Sequence, residues 1–445
     1  MPTEREARRL IDTVLRLSKA EQTEVSVHMV DSSLTRFANN EIHQNVAERD
    51  TSVSVRSGLK RRYGLASTND VSDAGLEKMV DQATAIARTL PELDDFLALP
   101  EPQELAALNA YNVGTAEFGP QQRAAGVRTI CQQAQEQGLS AAGAFRVDIG
   151  GHTIGSSLGL FAHHESTTAE LMTVVMSDDS SGHAGWLAVD VAEIDPERVA
   201  TEAVGKARRG RDPRPLEPGE YDVVLEPYAV SDMLDFLAYT GMGAMALQEG
   251  RSFMTGKLGQ RLMGTNVSIS DDGLDPSGVV RPFDYEGVPA RRVDMIVDGV
   301  ARSPVHDRRT AAKDGATSTG HALPPAYTIG PMPMNMFLKP GEATAGELIA
   351  SVERGLLVTR FWYTRVVHPL TVTMTGMTRD GTFLIENGEI AGPVKNLRFT
   401  QSYVEAMGNV GLIGKETKLV REFFAANRVP SLKIGAWSFT GATEY

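Results

Sequence analysis

The chain has 445 residues, 42% of them hydrophobic and 23% charged, with a formal net charge of −13. That length allows two or three domains with cores of their own, and no apolar run approaches the roughly 20 residues needed to span a bilayer. The basic clusters are confined to Lys60-Arg61-Arg62 and Arg208-Arg209-Gly210-Arg211, so no footprint for direct binding to a nucleic acid stands out.

In chain order, residues 3–18 place Ala7, Leu10, Ile11, Val14 and Leu15 on one helical face. This charged amphipathic stretch lacks the apolar segment of a signal peptide, so a cytoplasmic location is expected. Residues 24–30 alternate as a strand, and 41–46, 51–56 and 61–67 are further strands, with a turn expected at Ser57-Gly58. Helical spacing returns over 72–90 and ends at Pro91; residues 92–112 read as a connector. The order then recurs: a helix at 120–137 stopped by Gly138, strands at 141–148, 152–156, 160–166, 169–177 and 183–191, and a helix at 193–208. Cys131, the only cysteine, excludes an intrachain disulfide and a thiolate-rich zinc site, and its spacing with Val127 and Ala134 reads as a buried thiol.

The proline-rich stretch 209–219 separates this part from one of different character. Pro227 suits the first turn of a helix whose apolar stripe is Val230, Met233, Leu234, Leu237 and Met245. Beyond Gly250 strands and turns dominate. Asp298-Gly299 and Asn387-Gly388 are hairpin dipeptides, and Thr344 with Glu347 forms a capping box. The expected fold is therefore α+β: an N-terminal half of two helix–strands–helix units and a mainly β C-terminal half with a few helices. The expected domains are 1–210, with a possible duplication of 1–91 and 119–209, a linker at 211–219, and 220–445.

Nine histidines are present, none in an HExxH or HExxxH pattern, and none lies between Ala184 and Val305. His163 and His164 fall in a strand-like segment and should point to opposite faces. Gly155-Ser156-Ser157-Leu158-Gly159 matches the G-x-S-x-G elbow of serine hydrolases, but a strand rather than a helix follows, so a hairpin turn is expected. Asp232 and Asp235 lie one turn apart on the expected polar face, which favours a solvated acidic face over a weak cation site. Segment 250–259 lacks the Walker spacing. Its Arg251 and Lys257 are candidate contacts for a substrate or partner, set against a structural turn with ordinary ion pairs.

Several stretches carry a resemblance: RFANNEIHQN from Arg36, GRSFMTGKLG from Gly250, EATAGELIASVERG from Glu342, and LIENGEI from Leu384 with Pro393-Val394-Lys395 just after. In this order and spacing the chain resembles the TldD/PmbA family from about Arg36 to its C-terminus. The resemblance implies two types of member. The TldD type is a zinc peptidase whose ligands are the two histidines of a His-Glu-x-x-x-His helix and a later cysteine in a Gly-x-Cys-Gly-Lys context. The PmbA (TldE) type lacks them. Here the helix position runs from Asp232 to Tyr239 without a histidine, and Ile413 stands at the cysteine position of Gly411-Leu412-Ile413-Gly414-Lys415. Two histidines five apart on a regular helix sit about 140° from each other, so zinc members must distort or end that helix. Gly241 and Gly243 offer a similar break here.

The resemblance thus implies a PmbA/TldE-like pseudoenzyme with no catalytic residue and no metal of its own. It would pair as a dimer with a TldD-like subunit that carries the zinc, and assist proteolysis of unfolded peptides, without nucleic acid or membrane as a partner. Two other readings stand beside it: a self-assembled, non-catalytic homo-oligomer that binds peptides or proteins, and a hydrolase with a non-standard site. Catalysis by the chain itself is left open.

Overall fold

Helix α1 (Glu4–Leu17) is capped by Thr3, whose Oγ1 accepts the Glu6 N–H at 3.2 Å. It leads into β1 (Gln22–Ala38), β2 (Glu41–Leu59), β3 (Arg62–Thr68) and α2 (Asp73–Thr89). The computed structural model describes residues 3–443. The two strands expected at 41–46 and 51–56 are one continuous strand, paired with β1 from Gln22↔Gly58 to Ala38↔Glu41. The turn falls at Lys60-Arg61, both with positive φ (45° and 59°), not at Ser57-Gly58. Pairing satisfies the backbone of the polar stretch between the two expected strands, which local propensity does not register.

A short helix α3 (Val113–Ala116) precedes α4 (Pro120–Glu136), β4 (Ser140–Ser156), β5 (Phe161–Met176), β6 (Ser181–Ala188) and α5 (Pro196–Arg209). Again expected pairs of strands fuse, because the ladder runs through Gly150↔Ser166 and Gly151↔Glu165 without a break. The six strands form one antiparallel sheet in the order β3-β2-β1-β4-β5-β6. Helices α1 and α2 bury Leu10, Ile11, Leu76 and Met79 against Val25, Val27, Val53 and Val55. Helices α4 and α5 do the same with Val127, Ile130, Ala200 and Ala203 against Phe145, Val147 and Leu171. On either side of the β1–β4 pair the order is helix, three strands, helix. Each half has a glycine beneath its second helix. A Cβ on Gly64 would lie 1.9 Å from the Ala83 carbonyl oxygen, and one on Gly182 would lie 2.2 Å from that of Ala203.

Residues 210–218 cross to the second half with Arg214 bonded through its backbone to Pro393 and Lys395. There follow β7 (Gly219–Leu225), α6 (Pro227–Leu237), a π turn at Ala238–Met242 and α7 (Ala244–Gln248). The turn-rich middle holds β8 (Ile269–Asp271), β9 (Val293–Val297), β10 (Val300–Ala301), α8 (Arg308–Asp314), β11 (Met336–Leu338) and α9 (Ala345–Ala350). The chain ends with β12 (Arg354–His368), β13 (Thr373–Glu386), β14 (Glu389–Pro393), β15 (Leu397–Ser402), α10 (Tyr403–Gly408), β16 (Val410–Arg421) and β17 (Ala426–Ala442).

Strands β7, β12, β13, β15 and β17 pair in a closed ring. The ring encloses an aromatic core in which Phe361 lies 4.6 Å from Phe399 and 5.1 Å from Trp437, centroid to centroid. Asp298-Gly299 and Asn387-Gly388 make hairpin turns with all four residues left-handed. The fold is α+β: an antiparallel sheet with helices, then a large mixed sheet with few helices.

The halves meet through two small apolar clusters, Ile154, Leu160 and Ala162 with Phe283, and Leu187 with Leu419 and Ala426, and through polar contacts. The buried Lys206 ammonium of α5 reaches Glu226 at 2.6 Å, Glu202 at 2.8 Å and the His183 carbonyl at 3.1 Å. Lys418 of β16 bonds Glu202 at 3.2 Å, and Arg56 of β2 lies between Glu24 (2.8 Å) and Glu286 (3.9 Å).

The two buried glycines should behave alike. Gly64→Val and Gly182→Val would each force a helix off its strand, at a cost of roughly 1–3 kcal/mol or more. Gly205→Ala in α5, where nothing lies within 4 Å of the added carbon, should instead stabilise by about 0.5–1 kcal/mol. Urea unfolding midpoints of the three variants check the contrast.

Candidate functional site

Helix α6 presents no face to water: every residue from Tyr228 to Leu237 is buried. The expectation that Asp232 and Asp235 lie on a solvated acidic face is therefore wrong. The closed ring, β16 and the turn 422–425 surround the helix, so its polar stripe is enclosed with its apolar one. Both carboxylates are filled instead. Asp232 accepts hydrogen bonds from Tyr403 Oη (2.7 Å) and Thr364 Oγ1 (2.9 Å). Asp235 accepts from Asn427 Nδ2 (2.8 Å) and from the backbone N–H groups of Phe423 (3.0 Å) and Phe424 (3.3 Å). Burial pushes Asp232 up to about 7 and Asp235 up to about 6, with the hydrogen bonds opposing it. Glu422 is pushed up to about 8 by burial and by the charges of Asp232 and Asp235, against Arg360.

The helix widens into the π turn where the glycines suggested a break. A Cβ on Gly241 would lie 2.4 Å from the Phe253 ring, and one on Gly243 would lie 2.1 Å from the Pro331 carbonyl oxygen. Ser252 Oγ donates to the Gly241 carbonyl at 2.6 Å, so segment 250–259 is anchored on this break. Its two candidate contact residues are placed differently. Arg251 is engaged by Glu249 (2.6 Å) and the Ile329 carbonyl (3.4 Å), whereas Lys257 is exposed on a turn.

Ile413 lies on β16, buried in the same apolar core as α6, and α6 packs against that strand. The two stretches that the resemblance singles out thus belong to one apolar core. The residues present do not fit a zinc ion. One position is aliphatic, and both carboxylates spend their oxygens on fixed donors. Among the described residues no three His, Cys, Asp or Glu side chains are grouped so as to hold a metal. Ser157 sits in the β4–β5 hairpin turn, its Oγ accepting the Thr23 N–H at 2.9 Å. Cys131 is buried on α4, and burial raises its thiol.

A second site was not legible in the sequence. His28, His152 and His164 stand opposite one another on β1, β4 and β5, in the registers His28↔His152 and His152↔His164. They form a row on the sheet face turned away from the helices, toward a cavity of about 280 Å³ roofed by residues 279–285 and 320–335. His163 points the other way, as alternation requires, and bonds Thr153 at 2.7 Å. The His28 and His152 rings are 6.2 Å apart and tilted by 61°, and Tyr285 packs on His152 at 4.5 Å. No local pattern links three histidines so far apart in the chain; only strand register does.

The profile of the PmbA/TldA metallopeptidase C-terminal domain matches residues 218–441, and that of PmbA/TldA metallopeptidase domain 1 matches residues 23–87. The chain belongs to this PmbA/TldD family. It is 28% identical over 267 residues to a metalloprotease of Methanothermobacter thermautotrophicus, covering 57% of this chain and 58% of that protein. With a metalloprotease TldD homolog of Haemophilus influenzae it shares 29% identity over 171 residues, 38% of this chain but only 35% of the relative. It is 23% identical over 425 residues to the metalloprotease PmbA of Escherichia coli O157:H7, covering 91% and 90% of the two chains. The crystal structure of TldE from Thermococcus kodakarensis shares the fold, with a TM-score of 0.88 at 20% identity over 98% of this chain and all 100% of the other.

The buried acids make a pH prediction. Asp232 and Asp235 have folded values near 7 and 6, above their unfolded value of about 4. Between about pH 4 and pH 7 the folded chain holds protons that the unfolded chain has lost, so stability falls as pH rises through that window. Glu202 acts the other way. Lys206 and Lys418 outweigh burial and hold it at about 2, so its contribution is lost as pH drops below about 4.5. Asp232→Asn keeps an acceptor for Tyr403 and removes one titrating group. The slope of unfolding free energy against pH, from urea melts between pH 5 and 7, should flatten by up to about 1.4 kcal/mol per pH unit.

Proposed function

We propose that this chain is a non-catalytic, PmbA/TldE-type subunit that pairs with a TldD-like zinc peptidase and assists its action on unfolded peptides in the cytoplasm. One observation carries the reading. Where the peptidase type needs an open metal position, this chain has Asp232 and Asp235 closed by five donors and Ile413 closed by packing. A metallopeptidase needs a metal-bound water and a base beside it, and neither has a residue here to supply it. The zinc belongs to the partner.

A surface supports pairing. At the far end of β12 and in the turn beyond it, Tyr363 is 65% exposed, Val367 56% and Leu370 44%. These apolar side chains project from the β12–β13 hairpin tip, away from the core that the rest of β12 builds. A rigid hairpin tip of this kind suits a partner subunit better than water. No helix among the described residues is long and apolar enough to cross a membrane.

Two measurements test this. The purified chain should hold no stoichiometric zinc after dialysis and cleave unfolded peptides no faster than buffer, yet change the rate or substrate choice of an HExxxH homologue mixed with it. Chelator-sensitive turnover that scales with this chain alone would overturn the reading. In the second, Tyr363→Asp with Val367→Asp should weaken association with that homologue roughly tenfold or more by analytical ultracentrifugation. The chain's own melting temperature should stay unchanged.

A further inference from the structure

In the cavity beneath the two halves, Arg281 has no acceptor. Among the described residues its guanidinium makes no ion pair and no side-chain hydrogen bond, although the residue is half-buried. The other charges that line the cavity are matched. Arg146 holds Asp148 at 2.7 Å, and Arg421 faces Glu170 at 3.7 Å. Asp271 accepts from the backbone N–H groups of Met334 and Asn335 (2.7 Å each) and is bonded to His321 at 2.9 Å. Asp284 accepts three backbone N–H groups, from Glu286, Val288 and Ala322.

Across from Arg281 stands the histidine row. Among the described residues the His28 ring makes no hydrogen bond, whereas His152 Nε2 lies 3.4 Å from Ser26 Oγ and His164 interacts with the Val280 backbone carbonyl. Burial first, and then the Arg281 charge among the neighbouring groups, keeps all three imidazoles well toward the neutral form. A neutral imidazole still offers one N–H. A half-buried guanidinium with no acidic neighbour, facing a ring with a free N–H, suits a ligand with two or more acceptor oxygens. Room for it exists on the floor, where Gly150 contributes no side chain on the same sheet face as His152.

We infer that this cavity binds a compact oxyanion, a carboxylate or phosphate group, with Arg281 as its counter-ion and the ring N–H of His28, at the end of the histidine row, as a hydrogen-bond donor. The cavity lies apart from α6, and the inference does not depend on the non-catalytic reading. The oxyanion has two possible sources, a free small acid or the C-terminal carboxylate of a peptide.

Calorimetric titration of the full chain distinguishes them, using inorganic phosphate, succinate, a tripeptide with a free C-terminus and the same tripeptide as its C-terminal amide. Binding of the free tripeptide but not its amide identifies a peptide end. Binding of phosphate or succinate without either peptide identifies a free anion. In both cases Arg281→Gln should weaken binding roughly tenfold or more. Gly150→Val provides a second variant, which fills the floor from a Cβ 3.2 Å from Ser166 Oγ and should weaken binding similarly while leaving Arg281 in place. Thermal melting confirms that each variant is folded; if Arg281→Gln does not fold, Gly150→Val decides. The inference is overturned if none of the four probes binds at about 10 mM, or if binding is indifferent to the folded variants.

Discussion

A helix without a solvent face is the constraint on which the C-terminal half is built. Burying α6 on all sides means that every polar atom on it must find a partner inside the protein, because an unsatisfied carboxylate there would cost several kcal/mol. The surrounding elements are arranged to supply those partners: Thr364 from β12, Tyr403 from α10, Asn427 from β17 and two backbone N–H groups from the turn between β16 and β17. Each comes from a different part of the chain, so the two aspartates fix how the ring, the last helix and the turn sit around α6. The same satisfaction removes them as metal ligands. Stability of the core and the engagement of both carboxylates are two consequences of one set of hydrogen bonds.

The other organising surface is the polar face of the six-stranded sheet. Its opposite face is an ordinary apolar layer under four helices. A sheet with helices on one side only must either leave its second face wet or cover it with polar contacts. This protein covers it, through Arg56 between two glutamates, Arg421 reaching Glu170, and Phe283 packed on Ile154 and Ala162. Such pairs hold the halves in register more than they add stability, since desolvation offsets much of the attraction. The cavity with the histidine row is the part of this face that the second half roofs without filling.

Local signals in the sequence anticipated the longer helices, because an apolar stripe marks them and a cap often starts them: Leu10 and Ile11 in α1, Leu76 and Met79 in α2, Thr344 with Glu347 at α9; the short α3, α8 and α10 were not anticipated. They misjudged the strands in one systematic way. β2, β4 and β5 were read as pairs of short strands, because polar or glycine-containing stretches such as 47–50 and 150–151 interrupt the alternation. Pairing with a neighbour, on both sides at 150–151 of β4 and on one side at 47–50 of β2, carries such strands through their polar middles. Asp232 and Asp235 were misplaced for a related reason. A two-residue acidic face looks solvated when only its own helix is considered, and the elements that cover it come from beyond residue 360.

By itself the sequence determined the fold class, the family resemblance and which residues stand at 232–239 and 413. These depend on residue identity and order: the absence of histidine from 232–239, isoleucine at 413, the turn dipeptides and the capping residues. Tertiary structure alone decided that the ring of strands closes, that both aspartates are enclosed and held toward their neutral forms, and that His28 aligns with His152 and His164, more than a hundred residues further on, across adjacent strands beside Arg281. Burial and register are properties of which segments meet, and no window of sequence contains both sides of such a meeting.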